Sequence, residues 1–500
     1  MKIVIFVQKK IKPNTKQKMK DFLKYMLAAI VGVCIVGVVF TIIGIMSIAG
    51  MVASSSGSET KVSDNSVFIL NLSGSVEERA QPNPLSQLMG DNFETYGLND
   101  ILSSIKKAKE NEKIKGICLN AGAFACSPAS LEEIRNALAD FKESGKFIVA
   151  YGGNYLQSTY YLASVADKIA INPQGSLGWH GLATQTYFLK DLLDKIGVEM
   201  QIFRVGTYKS AVEPYISTEM SPANREQTQA FANSIWGQMV DDVAASRNIP
   251  ADSLNALADK NMDFQPTEVY INSGLADTLL YKDEMLAYLK QLTETDEDDS
   301  LNKLYLEDMV NVQRNVPKDK SGNILAVYYA TGTIGSSELS TDEGINPEKV
   351  TKDLRRLRED ESVKAVVFRV NSPGGSAFGS EEIWREVTLL KEQKPVIVSM
   401  GDYAASGGYY ISCAADWIIA QPTTLTGSIG IFGYIPNAEK LLNDKLGIHF
   451  DGVKTNKLAD LGDISRPFTE EETALMQNMV NHGYELFTQR CADGRKMSVD

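Results

Sequence analysis

Histidine and cysteine are scarce in this sequence of 500 residues, which contains three histidines and five cysteines. No two cysteines have the Cys-x-x-Cys spacing of a zinc site, and three histidines are too few for a histidine-rich metal centre. Most of the cysteines fall on apolar patterns or at helix ends, as small buried residues do. We therefore expect neither a bound metal nor a cofactor.

Most of the chain lacks an excess of positive charge and carries a net negative charge. The net charge is −13, yet residues 1–24 hold eight lysines and one aspartate, a local charge of +7. The remainder therefore carries −13 minus 7, or −20. Such an acidic body argues against nucleic acid as a partner.

Residues 25–52 form a long apolar run, which is long enough to cross a bilayer as a helix. Lysines precede it and a neutral segment follows it, so the positive-inside rule places residues 1–24 in the cytoplasm and the body outside. In a bacterium this means the inner membrane, with the body in the periplasm. A cleaved signal peptide is the alternative, but its apolar core is usually only about 7–15 residues long. The length therefore favours an uncleaved anchor.

The remaining sequence predicts an α/β fold with mainly parallel strands, because short apolar strands alternate with helical patterns. This order occurs twice. Residues 105–173 align without a gap with a second copy 249 residues later, so that Lys115 matches Lys364 and Asp167 matches Asp416. A match of this length indicates a duplicated domain.

Six segments follow from these patterns. We predict a basic tail (1–24), a transmembrane anchor (25–52), a polar stalk (53–65), a first α/β repeat (66–290), a solvated acidic linker (291–323) and a second α/β repeat (324–500). The first repeat ends with a segment, residues 262–289, that has no counterpart in the second copy. We therefore expect the second repeat to be truncated at its C-terminus.

The two copies differ at positions suited to catalysis. The second copy has Ser406 at the start of a helix that follows a buried strand, where the first copy has Gln157. It also has the glycine pair of the motif NSPGG, which the first copy lacks. Conversely, the first copy has Lys209 in the motif RVGTYKSAVEP, and the simplest alignment places Ala459 opposite it, with Lys457 nearby. Because each copy has lost part of one set, the two copies suggest a single composite site.

A site of this composition is suited to acyl transfer. A serine hydroxyl needs a base to become a nucleophile, and a lysine whose pKa is lowered by burial can be that base. We therefore predict Ser406 as the nucleophile and Lys209 as the general base and later acid. Backbone N–H groups of Gly374, Gly375 and Gly407 are predicted to stabilise the developing oxyanion.

Simpler roles stay open for the same residues. Serine is a preferred helix N-cap, so Ser406 could be a cap, and a Pro-Gly-Gly segment is often only a turn. His180 or His449 could be the base, because a catalytic triad cannot be read from sequence order. Ser428 could orient the lysine by a hydrogen bond, or it could serve a turn shared with Ser176 of the first copy.

Three motifs carry a family resemblance: RVGTYKSAVEP, RVNSPGGS and SMGDYAASGGYYIS. With them, the chain resembles the long, duplicated bacterial form of the signal peptide peptidase A family, also called protease IV. The resemblance covers residues 60–500 and the N-terminal anchor. It implies a membrane-bound serine endopeptidase with a Ser–Lys dyad, whose roles fall on Ser406 and Lys209.

The same resemblance implies two tandem repeats with the fold of crotonase and caseinolytic protease, assembled as a bowl-shaped homotetramer with its sites facing inward. It also implies substrates, namely signal peptides left in the membrane and other apolar peptides. Two other functions stay open. One is a catalytically inactive membrane scaffold of the same fold, and the other is a crotonase-type acyl-CoA enzyme, which an acidic extracytoplasmic body disfavours.

Overall fold

The computed structural model describes residues 15–55, 59–80, 95–314, 319–335 and 344–499. The basic tail predicted for residues 1–24 and the stalk predicted for residues 53–65 therefore lie partly outside the described residues. The chain divides into two units, the first ending at Lys61 and the second running from Val62 to Asp500.

The first unit contains a single long helix, α1 (Thr15–Ser55). Its segment Phe22–Gly44 has a mean hydropathy of 2.9 and is apolar on all sides. Among the described residues this is the one helix that is long and apolar enough to cross a membrane, although a signal sequence meets the same criteria. The predicted N-terminal apolar helix is confirmed, while its orientation stays a prediction.

The first repeat forms a sheet whose strands are mostly buried, as expected of a parallel sheet with covered faces. The strands of the first repeat are β1 (Ser66–Glu77), β2 (Thr95–Gly97), β3 (Ile114–Ala125), β4 (Phe147–Tyr155), β5 (Lys168–Leu177), β6 (Glu199–Arg204) and β7 (Thr278–Leu279). All of them except β6 belong to this sheet. Its helices are α2 (Leu98–Glu110), α3 (Pro128–Lys142), α4 (Gln157–Ala163), α5 (Lys190–Ile196), α6 (Glu213–Ile216), α7 (Pro222–Arg247), α8 (Ala251–Ala258), α9 (Thr267–Asn272) and α10 (Lys282–Leu292). The strand order is β2-β1-β3-β4-β5-β7, and all of these pairs are parallel.

The second repeat forms a smaller parallel sheet with the order β12-β11-β10-β9, and β13 pairs with β11. After β8 (Lys303–Leu304) and α11 (Leu306–Val310), its strands are β9 (Ile324–Thr331), β10 (Val363–Ser372), β11 (Val396–Ala405), β12 (Trp417–Ile419), β13 (Leu425–Gly427) and β14 (Phe432–Asn437). Its helices are α12 (Pro347–Glu359), α13 (Ala377–Lys391), α14 (Gly407–Ser412) and α15 (Glu470–Arg495). The predicted α/β class with two tandem repeats is confirmed.

The repeat spacing of 249 holds for most elements but not for β4. Helix α3 and helix α13 have bounds exactly one spacing apart in the sequence, and β5 and β12 begin one spacing apart. In contrast, Ile148 N donates to Asp167 Oδ2, and its counterpart donating to Asp416 Oδ2 is Val396, an offset of 248. The second copy therefore lacks one residue in the loop before β11. It has one extra residue within β11, where the register between β10 and β11 shifts, and this restores the spacing of 249. The gap-free alignment was wrong within this strand.

The predicted linker of residues 291–323 is only partly solvated. Strand β8 pairs with β1, and Leu301, Leu304 and Met309 are buried against the first repeat. The apolar residues of this segment occur at positions that place them on one face of a short strand and a short helix. That face packs against the first repeat, although the surrounding residues are acidic. The boundaries of the repeats at residues 290 and 324 stay predictions.

The two repeats are joined by a buried ion-pair network. The guanidinium of Arg369 on β10 donates to both carboxylate oxygens of Glu78 at 2.9 and 3.0 Å, and to Glu133 Oε1 at 2.8 Å. It also donates to Ser399 Oγ and Met400 O. Its side chain is 9% exposed, and those of Glu78 and Glu133 are 4% and 14% exposed. These ion pairs and hydrogen bonds compensate the charged groups for the water that they lose on folding.

Replacing Arg369 by Gln is expected to lower the free energy of unfolding by about 3–5 kcal/mol, because two carboxylates are left buried without their cation. The matched control is Arg356→Gln, since Arg356 is 68% exposed and lies 3.6 Å from Asp353. For Arg356→Gln, the decrease in the free energy of unfolding should stay below about 1 kcal/mol. Urea unfolding of the full chain measures both, and equal small losses would contradict the importance of the network.

Candidate active site

Ser406 lies in the turn between β11 and α14. Its φ is +53°, and its N–H donates to Gly427 O at 2.8 Å. Its side chain makes no cap hydrogen bond with α14, so the helix-cap interpretation is not supported by the geometry. The turn needs Gly408, because a Cβ there would lie 2.5 Å from Ser372 O. A serine with positive φ is strained, and strain of this kind is common at functional sites.

Lys209 lies in the loop between β6 and α6. Its carbonyl accepts a hydrogen bond from the guanidinium of Arg204 at 3.3 Å. The buried carboxylate of Glu213 accepts from Ser221 Oγ at 2.6 Å and from Asn224 Nδ2 at 2.9 Å, which attaches the loop to the N-terminus of α7. Sequence reasoning missed the role of Glu213, although the Ser-Pro start of α7 was an available signal for a capped helix here.

The side chains of Lys209 and Ser406 are in contact. Lys209 Nζ lies 3.2 Å from Ser406 Oγ, and it also donates to Ser428 O at 2.9 Å and to Ser428 Oγ at 3.0 Å. Among the described residues, no carboxylate pairs with this amine. Lys209 is only 7% exposed, and burial lowers its pKa from 10.5 to about 8. Three of the predicted site residues therefore meet within hydrogen-bond distance.

An antiparallel ribbon formed by β6 and β14 brings the lysine of one repeat to the serine of the other. Arg204, the last residue of β6, pairs with Phe432, the first residue of β14. Beyond this pair, Lys209 follows Arg204 by five residues and Ser428 precedes Phe432 by four residues. The aromatic ring of Phe432 lies 5.7 Å from Lys209 Nζ. One strand register thus brings Lys209 and Ser428 together.

The glycine loop lies against the serine, but its three predicted donors are not equivalent. The N–H of Gly374 donates to Ser372 Oγ at 3.1 Å. In contrast, the N–H groups of Gly375 and Gly407 have no acceptor among the described residues. A Cβ on Gly374 would lie 2.6 Å from Gly407 N and 2.9 Å from Ser406 Cβ. Because Gly374 has no side chain, the glycine loop can lie directly against Ser406 and Gly407. The N–H of Gly374 already has an acceptor, so Gly374 is not the free donor that was predicted.

The first repeat has a different arrangement at the position of Ser406. The Gln157 amide donates to Gly181 O and accepts from the backbone N–H groups of His180 and Gly181. The His180 ring contacts Gly181 O and is 44% exposed. Within the described part of the chain, the hydrogen-bond partner of Ser406 Oγ is Lys209 Nζ, and neither His180 nor His449 contacts it.

Ser428 and Ser176 make different contacts, although they occupy matching positions in the two copies. Ser176 Oγ donates to Asn154 Oδ1 at 2.6 Å, whereas Ser428 Oγ accepts from Lys209. A shared turn therefore does not account for the contact made by Ser428. Its role in orienting the lysine stays a prediction.

Asn371, the first residue of the NSPGG motif, connects the glycine loop to the ion-pair network. Its Oδ1 accepts from Tyr403 N at 3.0 Å, and its Nδ2 donates to Glu78 Oε1 and Asp402 Oδ2, both at 3.1 Å. Asp402 also accepts from the N–H and hydroxyl of Ser130 at the start of α3. These positioning residues were missed, because no local pattern links residues so distant in sequence.

Comparison with known proteins identifies the family of this chain. The model of "Peptidase family S49" matches residues 140–296 and 388–500. Protease 4 of Haemophilus influenzae is 37% identical over 477 residues, which cover 91% of this chain and 76% of that protein. Protease 4 of Salmonella typhi is 37% identical and covers 89% of this chain and 74% of its own length.

A chloroplastic relative extends the comparison beyond bacteria. The protein named serine protease SPPA in Arabidopsis thaliana is 31% identical over 445 residues, which cover 88% of this chain and 64% of that protein. The family match includes both repeats, and the bacterial relatives are similar over most of their length. The chain therefore belongs to peptidase family S49.

Proposed function

We propose that this chain is a serine endopeptidase in which Ser406 is the nucleophile and Lys209 is the general base. The observation that carries the proposal is the 3.2 Å separation between Ser406 Oγ and Lys209 Nζ. This separation is within hydrogen-bond reach, which a nucleophile and its base require. The lysine is also buried, and no carboxylate among the described residues pairs with it to hold it protonated.

The first half-reaction forms an acyl-enzyme. Neutral Lys209 Nζ takes the hydroxyl proton of Ser406 as Oγ attacks the peptide carbonyl carbon. The carbonyl π electrons move to the oxygen, which the N–H groups of Gly375 and Gly407 are suited to stabilise. The intermediate then collapses, the C–N bond breaks, and protonated Lys209 gives its proton to the leaving amine. Ser428 O and Oγ accept from the amine and hold it in one orientation.

The second half-reaction releases the acid. A water molecule gives a proton to Lys209 Nζ and attacks the ester carbon, and the lysine then returns the proton to Ser406 Oγ as the ester bond breaks. The lysine acts as base and then acid in each half, so it ends each cycle neutral. Apart from the attacking water, each proton transfer in this scheme uses Lys209 or Ser406.

The rate is expected to rise with pH and level off above about pH 8. With a pKa of about 8, roughly one-tenth of the Lys209 side chains are neutral at pH 7. Raising the pH increases this neutral, active form, so kcat/KM should increase about tenfold from pH 7 to the plateau and about a hundredfold from pH 6. Measurement on a soluble peptide between pH 6 and 10 tests this. A half-maximal rate near pH 6.5 would indicate histidine and contradict the proposal.

The substrates are proposed to be signal peptides and other apolar peptides at a membrane surface. The apolar segment Phe22–Gly44 supports an anchor, and the excess of lysines before it supports a cytoplasmic N-terminus with a periplasmic body. An anchored site would meet peptides released into the bilayer. A homotetramer, implied by the motif resemblance, completes the proposal.

A further inference from the structure

The first repeat contains a small apolar cavity that the proposed mechanism does not use. Its volume is about 130 Å³. Leu182, at its opening, is 45% exposed, while Leu131 and Met239 are buried. The lining residues include Cys126, Leu131, Gln157, Tyr161, Leu182 and Met239 of the first repeat, and Thr423 of the second repeat also lines the cavity.

This cavity occupies the place in the first repeat that the catalytic serine and glycine loop occupy in the second. At the repeat spacing of 249, Gln157 corresponds to Ser406, and Cys126 corresponds to Gly375. The spacing applies at Cys126 because α3 and α13, which follow the two loops, have matching bounds. It applies at Gln157 because the next helices end with matching hydrogen bonds, from Ser164 N to Tyr160 O and from Cys413 N to Tyr409 O. The cavity is therefore the counterpart of a site for peptides.

Its side chains lack the means to cleave a peptide. The Gln157 amide oxygen accepts two hydrogen bonds from the backbone of residues 180–181, and its nitrogen donates one to Gly181 O. The Ser158 hydroxyl donates to Phe124 O at 3.0 Å, and burial raises the pKa of the Cys126 thiol, which therefore stays protonated. Strand β3 continues to Ala125, whereas β10 ends at Ser372, so strand replaces part of the glycine loop of the second repeat.

We propose that this cavity binds one apolar side chain of a peptide substrate and holds the peptide without cleaving it. The inference depends on the proposed function for the nature of the ligand. Apolar cavities of about 150 Å³ accept a benzene-sized group, whereas small-molecule sites usually exceed about 300 Å³. A single leucine- or phenylalanine-sized side chain fits this range.

The cavity is also linked to the catalytic repeat. Thr423 lines its edge and donates to Glu132 Oε2 at 2.5 Å, which joins α3 to the chain that leads into β13. Strand β13 ends at Gly427, whose carbonyl accepts from Ser406 N. A peptide held in the cavity therefore lies beside the segment that supports the nucleophile, and the cavity would retain long apolar peptides between cleavages.

Photo-crosslinking tests this inference without requiring turnover. The probe is a leucine-rich peptide with lysines at its ends and one photoreactive leucine, added to the full-length Ser406→Ala variant. We expect labelling of the first repeat at residues that line the cavity. Leu182→Asp should reduce that labelling about tenfold, because a carboxylate at the opening must lose water when an apolar group binds. Leu192→Asp is the matched control, since Leu192 is 53% exposed and does not line the cavity.

The possible outcomes separate this inference from the proposed function. Labelling confined to the second repeat would overturn the inference and leave the proposed function intact. Labelling of the first repeat that is equal in Leu182→Asp and Leu192→Asp would also overturn it. Absence of labelling in both repeats would count against peptide binding altogether, and so against both proposals.

Discussion

Ser406→Ala is expected to abolish peptide hydrolysis, with kcat/KM reduced by a factor of about 10⁴ or more. The substitution removes the Oγ that would form the acyl-enzyme, and alanine has no atom that can replace it. The positive φ is no more strained for alanine than for serine, so the turn between β11 and α14 should persist. Hydrolysis of a fluorogenic peptide by the purified full chain measures the effect.

Ser412→Ala is the matched control for this prediction. Ser412 lies at the end of α14, the helix that follows Ser406, and its hydroxyl donates to Gly408 O at 2.7 Å without contacting Lys209. Its loss should reduce activity less than about fivefold, since a single neutral hydrogen bond contributes about 1 kcal/mol. Thermal unfolding checks that both variants are folded. Substantial activity in folded Ser406→Ala would mean that another group is the nucleophile.

Lys209→Met is expected to reduce kcat/KM by a factor of about 10³–10⁴ at every pH, because the hydroxyl of Ser406 then has no base. Methionine preserves much of the packing of the lysine stem beside Gly430, where a Cβ would lie 3.1 Å from Lys209 Cδ. The pH dependence expected for the wild-type chain should disappear in this variant. Steady-state rates between pH 6 and 10 test both points.

Two further variants separate the base from the positive charge. Lys209→Arg retains a cation but stays protonated, because the pKa of arginine exceeds about 12, so it should be as inactive as Lys209→Met. Lys457→Met removes an exposed lysine that pairs with Glu471, and it should leave activity unchanged. A Lys209→Arg variant with a tenth or more of the wild-type rate would show that the charge, and not proton transfer, is required.

The duplicated sequence allowed much of the fold and of the site to be predicted. Matching positions such as Lys115 and Lys364 identified the two repeats, and the observed bounds of α3 and α13 follow the same spacing. The comparison of the two copies also selected Ser406 and Lys209, because each residue is missing from the other copy. These two side chains are in contact in the structure.

Other features depended on contacts that no local pattern encodes. The pairing of β6 with β14 joins segments more than 200 residues apart, and the pairs of Arg369 with Glu78 and Glu133 do the same. The hydrogen bond from Gly374 N to Ser372 Oγ was also missed, since the orientation of a peptide N–H depends on φ and ψ. Long-range pairing and backbone conformation thus account for what sequence reasoning left out.

The most direct test of the dyad is mass-spectrometric mapping of the residue modified by a serine-directed fluorophosphonate reagent. We expect one major adduct, on the tryptic peptide that contains Ser406, formed at a rate that rises with pH through about 8. Lys209→Met should form this adduct at least about a hundredfold more slowly. An adduct on a different residue, or equally fast modification of Ser406 in Lys209→Met, would contradict the Ser–Lys assignment.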